Sequence, residues 1–261
     1  MDDDRILEIS TALDVARHVQ EIYGDDLTST GVLHVTAVWN GGRGAYVTLD
    51  ITPDTPKSQH DLFALGLARA RADAIVTTGR ILRREPDLSH RLPGSSTFSR
   101  ALAEWRQGVL GKTTPPITLI LTSGRDLDFE HPIFRGPTRP VIFTHPEGHW
   151  QLESRAADHG VEVVGVPSPS IQGAVEFLRR EFGAATLSIE AGPSTSRQLY
   201  EPDLLVDELL LSVFEAPRIP GSVEGGFFLP RPDLFRLFSH VSDPFGVVTA
   251  DGSWNLQRFL R

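Results

Sequence analysis

Short apolar runs alternate with segments of helical spacing through the middle of the chain. The runs at residues 117–122 and 141–144 are compact, which is typical of strands buried on both faces of a sheet, and further strands are predicted at residues 74–78 and 161–166. Apolar residues recur at helical spacing between these runs, so we predict helices at residues 57–72, 98–109, 151–159 and 171–182. This alternation predicts a largely parallel sheet covered by helices on both faces.

The helical pattern stops after residue 206, and only strand-like runs follow it. We predict strands near residues 206–214, 234–241, 246–250 and 254–260, with a flexible loop at residues 221–226. Strands without intervening helices favour antiparallel pairing, here along one edge of the same sheet. The predicted fold is therefore an α/β three-layer sandwich with a mostly parallel central sheet and antiparallel C-terminal strands.

The first 28 residues precede the first predicted strand, at residues 32–39. Residues 1–10 form an acidic start that we expect to be mobile, and residues 11–23 have helical spacing. The sequence contains no internal repeat and no long Pro-rich or Ser-rich linker. We therefore predict a single domain over residues 1–261, in which residues 1–28 are an N-terminal extension that includes a helix.

Composition argues against several classes of partner. The 261 residues carry a formal net charge of −9, which disfavours a nucleic-acid surface or a basic membrane patch. There is no cysteine, which excludes disulfides, thiolate ligands and a cysteine nucleophile. His145 and His149 are four residues apart, but Pro146 and Gly148 indicate a loop, so we predict no metal site. Without a long apolar run or a signal-peptide pattern, we expect a cytoplasmic protein.

A strand-to-helix junction with candidate chemistry lies at residues 187–200. An apolar run ends in Glu190, where open α/β sheets place groups that contact ligands, and a turn follows at Gly192 and Pro193. A glycine turn that opens a helix can direct unpaired backbone N–H groups at a phosphate. Taken alone, this turn is better explained as an ordinary tight connection, so the case for a nucleotide site depends on a second segment.

That second segment is the glycine-assisted junction at residues 72–91. A strand runs into Gly79 and a helix start, and the segment is rich in arginine: Arg80, Arg83, Arg84 and Arg91. A guanidinium group suits phosphate because its planar fork donates two parallel hydrogen bonds. Two such junctions in one sheet indicate a ligand with several phosphates, such as a dinucleotide. Pairing of these arginines with surface carboxylates explains them equally well.

The two junctions carry a resemblance to a known family. The segments DAIVTTGRILRREPDLSHR and IEAGPSTSRQLYEPDLLVDELLLSVFEAP resemble the reductase domain of the bifunctional deaminase–reductases of riboflavin biosynthesis. That domain has the dihydrofolate-reductase-like fold, and the resemblance covers about residues 30–260 in element order. It implies an NADPH-dependent reductase that transfers hydride to a ribosyl-pyrimidine or pterin-like substrate. It also implies a homodimer.

The resemblance implies roles for individual residues. The positions that match substrate contacts are Arg69, Leu88, Arg91 and Glu190, with the two arginines at a substrate phosphate. The positions that match cofactor contacts are Thr77, Thr78, Gly79, Arg80, Arg84, Ser123, Gly192, Pro193, Ser194, Thr195 and Ser196. Arg80 replaces the family's threonine and would favour NADPH over NADH. Arg84 replaces an acidic residue, which reverses the charge there.

The chain departs from the family at the end of its first strand. Where the family has a motif similar to SLDGK, this chain reads AVWNGG over residues 37–42, without the aspartate or the lysine. We expect Trp39 and Asn40 to change the shape and charge of the pocket. No catalytic residue is identified, and Glu190 would donate a proton only if burial raised its pKa.

Two other functions remain open from the sequence. The lost motif and the reversed charge at Arg84 favour, as an alternative, a non-catalytic protein that binds a nucleotide or another ligand on the same scaffold. A different oxidoreductase on a Rossmann sheet is disfavoured, because no G-x-G-x-x-G follows the first strand.

Overall fold

The computed structural model describes residues 2–41, 44–124 and 127–261. Gly42, which belongs to the departing motif at the end of the first strand, lies outside the described residues. The strands are β1 (Gly31–Asn40), β2 (Ala45–Leu49), β3 (Ala74–Thr78), β4 (Ile117–Leu121), β5 (Arg139–Thr144), β6 (Glu162–Gly165), β7 (Thr186–Ile189), β8 (Glu208–Glu215), β9 (Glu224–Pro230), β10 (His240–Val241), β11 (Phe245–Val248) and β12 (Ser253–Leu260).

The α-helices lie between and beside these strands, and most of them follow the predicted spacing. They are α1 (Ala12–Tyr23), α2 (Gln59–Arg71), α3 (Gly79–Arg84), α4 (Ser96–Gly108), α5 (Pro146–Asp158), α6 (Ile171–Phe182), α7 (Pro193–Ser196) and α8 (Arg231–Leu237). Within the described ranges, no helix has the length and apolar character needed to cross a bilayer.

The strands form one mixed sheet in the order β10-β12-β8-β1-β7-β3-β4-β5-β6. The neighbours from β8 to β6 all pair in parallel. The strand β12 pairs antiparallel with β8, β10 and β11, and β2 links β1 to β9 by antiparallel pairing. This topology confirms the predicted mostly parallel sheet with antiparallel C-terminal strands.

Apolar side chains from both faces of the sheet are buried under helices. In β4, Leu119 packs into the core beneath α6, whereas its neighbour Ile120 packs on the opposite face beneath α5. The helices α1, α2 and α4 cover that second face nearer β1, where Trp105 and Phe63 are buried. Because successive strand residues point to opposite faces, both faces need a helical cover, and the result is the predicted three-layer sandwich.

The C-terminal region differs from the prediction in two places. Residues 221–226 were expected to be a loop, but β9 begins at Glu224 and pairs with β2. A Cβ built on Gly225 would lie 2.5 Å from the Thr48 carbonyl oxygen, so glycine is needed for this close pairing. Residues 234–241 were expected to be one strand, but they contain the end of α8 and the short β10, because Leu234 follows a helix start at Arg231-Pro232.

The segment that contains His145 and His149 was predicted to be a loop, but it begins the helix α5. His145 is the N-cap of α5, and its Nδ1 accepts a hydrogen bond from the Gly148 backbone N–H at 3.1 Å. Pro146 takes the first helical position, where a missing N–H costs no intrahelical hydrogen bond. The proline therefore marks the beginning of this helix.

The acidic start of the chain is packed against the body of the protein. Residues Asp3–Glu8 form a 3-10 helix that buries Ile6. The Asp3 carboxylate accepts hydrogen bonds from the Ser58 hydroxyl at 2.8 Å and from the Gln59 backbone N–H at 2.7 Å. These contacts cap the N-terminus of α2, so the expectation of a mobile start was wrong.

We predict that Asp3→Ala lowers the free energy of unfolding by about 1–2 kcal/mol, because the Gln59 backbone N–H and the Ser58 hydroxyl lose their acceptor. Denaturant titration measures this loss, and Asp4→Ala, which changes an exposed neighbour, is the matched control. Hydrogen bonds to α2 hold the pKa of Asp3 below its usual value, although burial opposes this. The stability that ionised Asp3 contributes is therefore present at neutral pH and is lost as the pH falls through that pKa. Equal losses in both variants would contradict the capping role.

Candidate functional site

Two adjoining pockets open at the carboxyl ends of β3 and β7, and the first of them also contacts the middle of β1. The first, of about 470 Å³, is lined by the carboxyl groups of Asp50, Asp61, Glu85 and Glu190, and we name it the carboxylate pocket. The second, of about 440 Å³, is lined by Arg80, Arg84 and Arg197, and we name it the arginine pocket. Their common wall consists of Asp50, Ile81, Arg84, Gly192 and Pro193.

The two glycine junctions meet in the arginine pocket. Thr78 and Arg80 line it from the end of β3, and residues 192–195 line it from the end of β7. The junctions are in near contact, since a Cβ built on Gly192 would lie 3.7 Å from the Ile81 Cδ1 atom. This proximity follows from the sheet, in which β3 and β7 are parallel neighbours with Val76 opposite Ile189.

The backbone amides of these junctions are engaged within the turns. The N–H groups of Thr195 and Ser196 both donate to the Gly192 carbonyl at 2.9 Å. The Ile81 N–H donates to the Thr78 hydroxyl at 3.2 Å. The sequence prediction that these turns direct bare amides at a ligand is therefore wrong for these three groups.

The side chains of the arginine pocket fit a ligand with several phosphates. Arg80 is exposed and forms no ion pair among the described residues, whereas Arg84 lies 3.4 Å from the Asp50 carboxylate. Arg197 lies 3.3 Å from Glu201, and its guanidinium lies over the Phe227 ring at 5.9 Å. Hydroxyl groups of Thr78, Ser194 and Thr195 also line the pocket. Three guanidinium groups against the two lining carboxylates, Asp50 and Glu224, make it locally basic.

A buried ion pair forms one wall of the carboxylate pocket. Arg69 donates to both carboxylate oxygens of Glu190, from Nε at 2.9 Å and from Nη2 at 2.6 Å, and its Nη1 donates to the Arg91 carbonyl at 2.9 Å. Burial opposes ionisation of Glu190, but the guanidinium holds the pKa of this carboxyl below its usual value. Glu190 is therefore ionised and is not the proton donor that a raised pKa would have made it.

Two other carboxyl groups of the pocket have raised pKa values, in contrast to Glu190. Burial raises the pKa of Asp61, which stands near the N-terminus of α2. Burial and the nearby Glu190 carboxylate raise the pKa of Glu85, which caps the end of α3. Sequence reasoning missed both residues, because Asp61 resembles an ordinary first-turn acid and Glu85 resembles a surface partner of the arginine cluster.

The histidine of the first strand is a buried structural group at the edge of the carboxylate pocket. The Nδ1 atom of His34 lies 2.7 Å from the Tyr200 hydroxyl oxygen. Burial lowers the pKa of His34 to about 3, so this ring is neutral at physiological pH. No group of three or more His, Asp or Glu side chains in the described part of the chain is arranged to hold a metal ion.

The structure brings most of the predicted site residues to one of the two pockets. Those that line the carboxylate pocket are Arg69, Leu88, Glu190 and Ser196, and those that line the arginine pocket are Thr78, Arg80, Ser194 and Thr195, while Arg84, Gly192 and Pro193 line both. Four predicted residues line neither pocket. Thr77 and Gly79 are buried beneath the first junction, and Ser123 and Arg91 are exposed elsewhere.

Trp39 and Asn40 of the departing motif line neither pocket, contrary to the expectation that they would change the shape and charge of the pocket, whereas Ala37 of the same motif lines the carboxylate pocket. The Trp39 indole N–H donates to the Ala216 carbonyl at 2.8 Å, and the Asn40 amide donates to the Glu215 carboxylate at 3.0 Å. Both residues lie where β1 continues beyond the pocket to pair with β2. The tryptophan that does line the carboxylate pocket is Trp254, from β12.

The fold is that of the dihydrofolate-reductase-like reductases of riboflavin biosynthesis. RibD of Acinetobacter baumannii is 17% identical over 90% of this chain and 59% of its own, with a TM-score of 0.60, so this chain spans less than two thirds of RibD. A pyrimidine reductase-like protein from Corynebacterium diphtheriae is 20% identical over 96% of this chain and 99% of its own, with a TM-score of 0.62.

A third structure with this fold is the riboflavin biosynthesis reductase Rib7 of Saccharomyces cerevisiae. It is 15% identical over 95% of this chain and 100% of its own, with a TM-score of 0.55. No protein-family model and no curated protein sequence matches the chain. The resemblance in the two junction segments is thus confirmed at the level of the fold.

We predict that Glu190→Gln destabilises the protein by about 3 kcal/mol, because it leaves the buried Arg69 guanidinium without a counter-charge. Denaturant unfolding at neutral pH measures the loss. The matched control is Glu162→Gln, which breaks the exposed Arg139–Glu162 pair and should cost less than about 1 kcal/mol. A Glu190 variant as stable as the Glu162 variant would show that the pair does not support the pocket wall.

Proposed function

We propose that this protein is an NADPH-dependent reductase that acts on a ribosyl-pyrimidine or pterin-like substrate. The observation that carries this proposal is the meeting of the two glycine junctions in one arginine-lined pocket, directly beside a second pocket lined by carboxyl groups. A basic pocket suits the phosphates of a dinucleotide, and an adjoining half-apolar pocket suits a small heterocycle. The reductase fold supports the same assignment.

The arginine pocket is the proposed cofactor site. Arg80 and Arg84 would hold phosphate groups, with hydroxyl groups of Ser194 and Thr195 as further partners. Arg80 has no acid partner among the described residues, so it is available to a phosphate that NADPH carries and NADH lacks. Bound NADPH supplies a hydride, and the protein supplies position and electrostatic environment.

The carboxylate pocket is the proposed substrate site. Reduction of a C=N or C=O group requires one hydride and one proton, so an acid is needed beside the substrate. Asp61 is the group we assign to this role, because it lines the pocket and burial raises its pKa. Glu85 lines another part of the same pocket and shares the raised pKa.

A non-catalytic binding protein on the same scaffold is the second candidate. Its motivation is the loss of the family's aspartate and lysine at the end of β1, where Trp39 and Asn40 now bind the neighbouring β8 region. The two candidates differ in turnover, since both would bind the coenzyme but only the reductase would oxidise it in the presence of substrate.

We predict that the protein binds NADPH and that Arg80→Gln weakens this binding about tenfold, because one charge-assisted phosphate contact is lost. Binding of NADH should change much less. Isothermal titration calorimetry with both coenzymes measures the difference. Arg100→Gln, an exposed arginine of α4 that lines neither pocket, is the control. An Arg80 variant with unchanged NADPH affinity would remove this residue from the cofactor site.

We predict that Asp61→Asn lowers kcat/KM about 100-fold for NADPH oxidation by a ribosylaminouracil or a dihydropterin, because the amide cannot donate the proton. In the unmutated protein kcat/KM should fall as the pH rises through the raised pKa of Asp61, since only the protonated carboxyl donates. The variant should lose this fall. Asp158→Asn, on the exposed end of α5, is the control. An Asp61 variant with full activity and an unchanged pH profile would contradict the assignment.

A further inference from the structure

The positive charges that line the carboxylate pocket are few and already partnered. Among the residues that the structure describes, two arginines and no lysine contribute to its lining, namely Arg69 and Arg84. His34 also lines it, but this ring is neutral because burial lowers its pKa to about 3. Whether the pocket accepts a phosphorylated substrate therefore depends on whether either guanidinium is available to a phosphate.

Arg69 is not available. Three of its nitrogens are engaged, two with Glu190 and one with the Arg91 carbonyl, and only 9% of its side chain is exposed. A phosphate could gain this guanidinium only by breaking a bidentate contact with a buried carboxylate, which would then remain as an uncompensated negative charge. The ion pair therefore leaves this wall of the pocket without a free cation for an anion.

The two other arginines near the pocket are also unsuited to hold a substrate phosphate. The Arg91 side chain is exposed and does not line the pocket, although its carbonyl contacts Arg69. Arg84 lies on the wall shared with the arginine pocket, half of its side chain is exposed, and Asp50 lies 3.4 Å away. A coenzyme phosphate in the arginine pocket would occupy Arg84 from the other side.

The acids that line the pocket outnumber its arginines. Asp50 and Glu190 are paired with the two arginines, whereas Asp61 and Glu85 have no ion pair in the described part of the chain. Asp61 is neutral while it holds the proton that it is proposed to donate. A phosphate placed in this pocket would therefore meet no cation free of an acid partner among the described residues, and nothing there would compensate the loss of its hydration.

We propose that the carboxylate pocket selects a substrate that carries no phosphate group. This inference rests on the proposed function, because it takes the carboxylate pocket as the substrate site. The substrate class is a neutral or protonated nitrogen heterocycle whose N–H groups face the pocket acids, with any sugar or side chain unphosphorylated. The phosphates of the complex then belong to the coenzyme alone, in the arginine pocket.

The test compares ligands that differ only in one phosphate. The probes are 5-amino-6-ribitylaminouracil and its 5′-phosphate, and 7,8-dihydroneopterin and its 3′-phosphate. Their affinities are measured by calorimetry and by Trp254 fluorescence, with and without NADPH. In at least one pair, the unphosphorylated member should bind about tenfold or more tightly than its phosphate. Phosphates that bind as tightly as their parents in every pair that binds, or no binding by any of the four probes, would overturn the proposal.

Variants separate a local charge effect from a general one. Glu85→Gln should reduce the discrimination against phosphate several-fold, whereas Glu153→Gln, an exposed acid of α5 outside both pockets, should leave it unchanged. Arg91→Gln should not weaken binding of either phosphorylated probe. If this variant bound the phosphorylated probes more weakly and the unphosphorylated ones as before, Arg91 would contact the substrate phosphate, as the family resemblance implies. Equal effects of the Glu85 and Glu153 variants would also contradict the proposal.

Failure of this inference and failure of the proposed function give different experimental results. Probe binding without NADPH does not require coenzyme affinity or turnover, so a protein that binds no coenzyme can still show or lack the discrimination. Conversely, a protein that oxidises NADPH with a phosphorylated substrate would keep the reductase function and lose this inference.

Discussion

The parallel alignment of β1, β7 and β3 is the constraint on which the rest of the site depends. Val76 stands opposite Ile189, and the Glu190 N–H donates to the Val76 carbonyl at 2.8 Å, so the two strands end within about two residues of each other. On the other side of β7, His34 stands opposite Ile189. Because the carboxyl ends coincide, the turns that leave β3 and β7 open on the same space, as they do in other open α/β sheets.

Charge pairing within that space divides it into two regions of opposite character. Arg69 is bound to Glu190 and is therefore not available to an anion in the carboxylate pocket. Two acids of that pocket, Asp61 and Glu85, form no ion pair among the described residues. Across the shared wall, Arg80 and Arg197 leave the arginine pocket basic. The proposed phosphate-bearing coenzyme and unphosphorylated heterocycle would fit this division, since in the described part of the chain only the arginine pocket offers cations to a phosphate.

Periodicity was sufficient to predict the order of the elements and the fold class, because each helix and parallel strand buries one recognisable apolar pattern. It failed where local composition opposed the pattern. Gly225 lies in a strand since only glycine can approach Thr48 so closely, and Pro146 begins a helix that its presence seemed to exclude. The start of the chain was misjudged for a different reason, as the partners of Asp3 on α2 lie 55 to 57 residues further along.

The site was predictable in position but not in detail. Glycine turns after two apolar runs located both junctions, yet the sequence could not show that Arg69 and Glu190, which are 121 residues apart, bind each other. That pairing decides which arginines remain available to a ligand. The raised pKa of Asp61 was equally hidden, because it arises from burial, which depends on the folded structure.

A crystal structure of the protein with NADPH is the most direct test of the central claim that both junctions serve one coenzyme. The account predicts electron density for the coenzyme phosphates in the arginine pocket, within hydrogen-bonding distance of Arg80 and of the turn at Gly192, with the carboxylate pocket left free for a substrate. Coenzyme density at any other surface, or contact with only one of the two junctions, would contradict it.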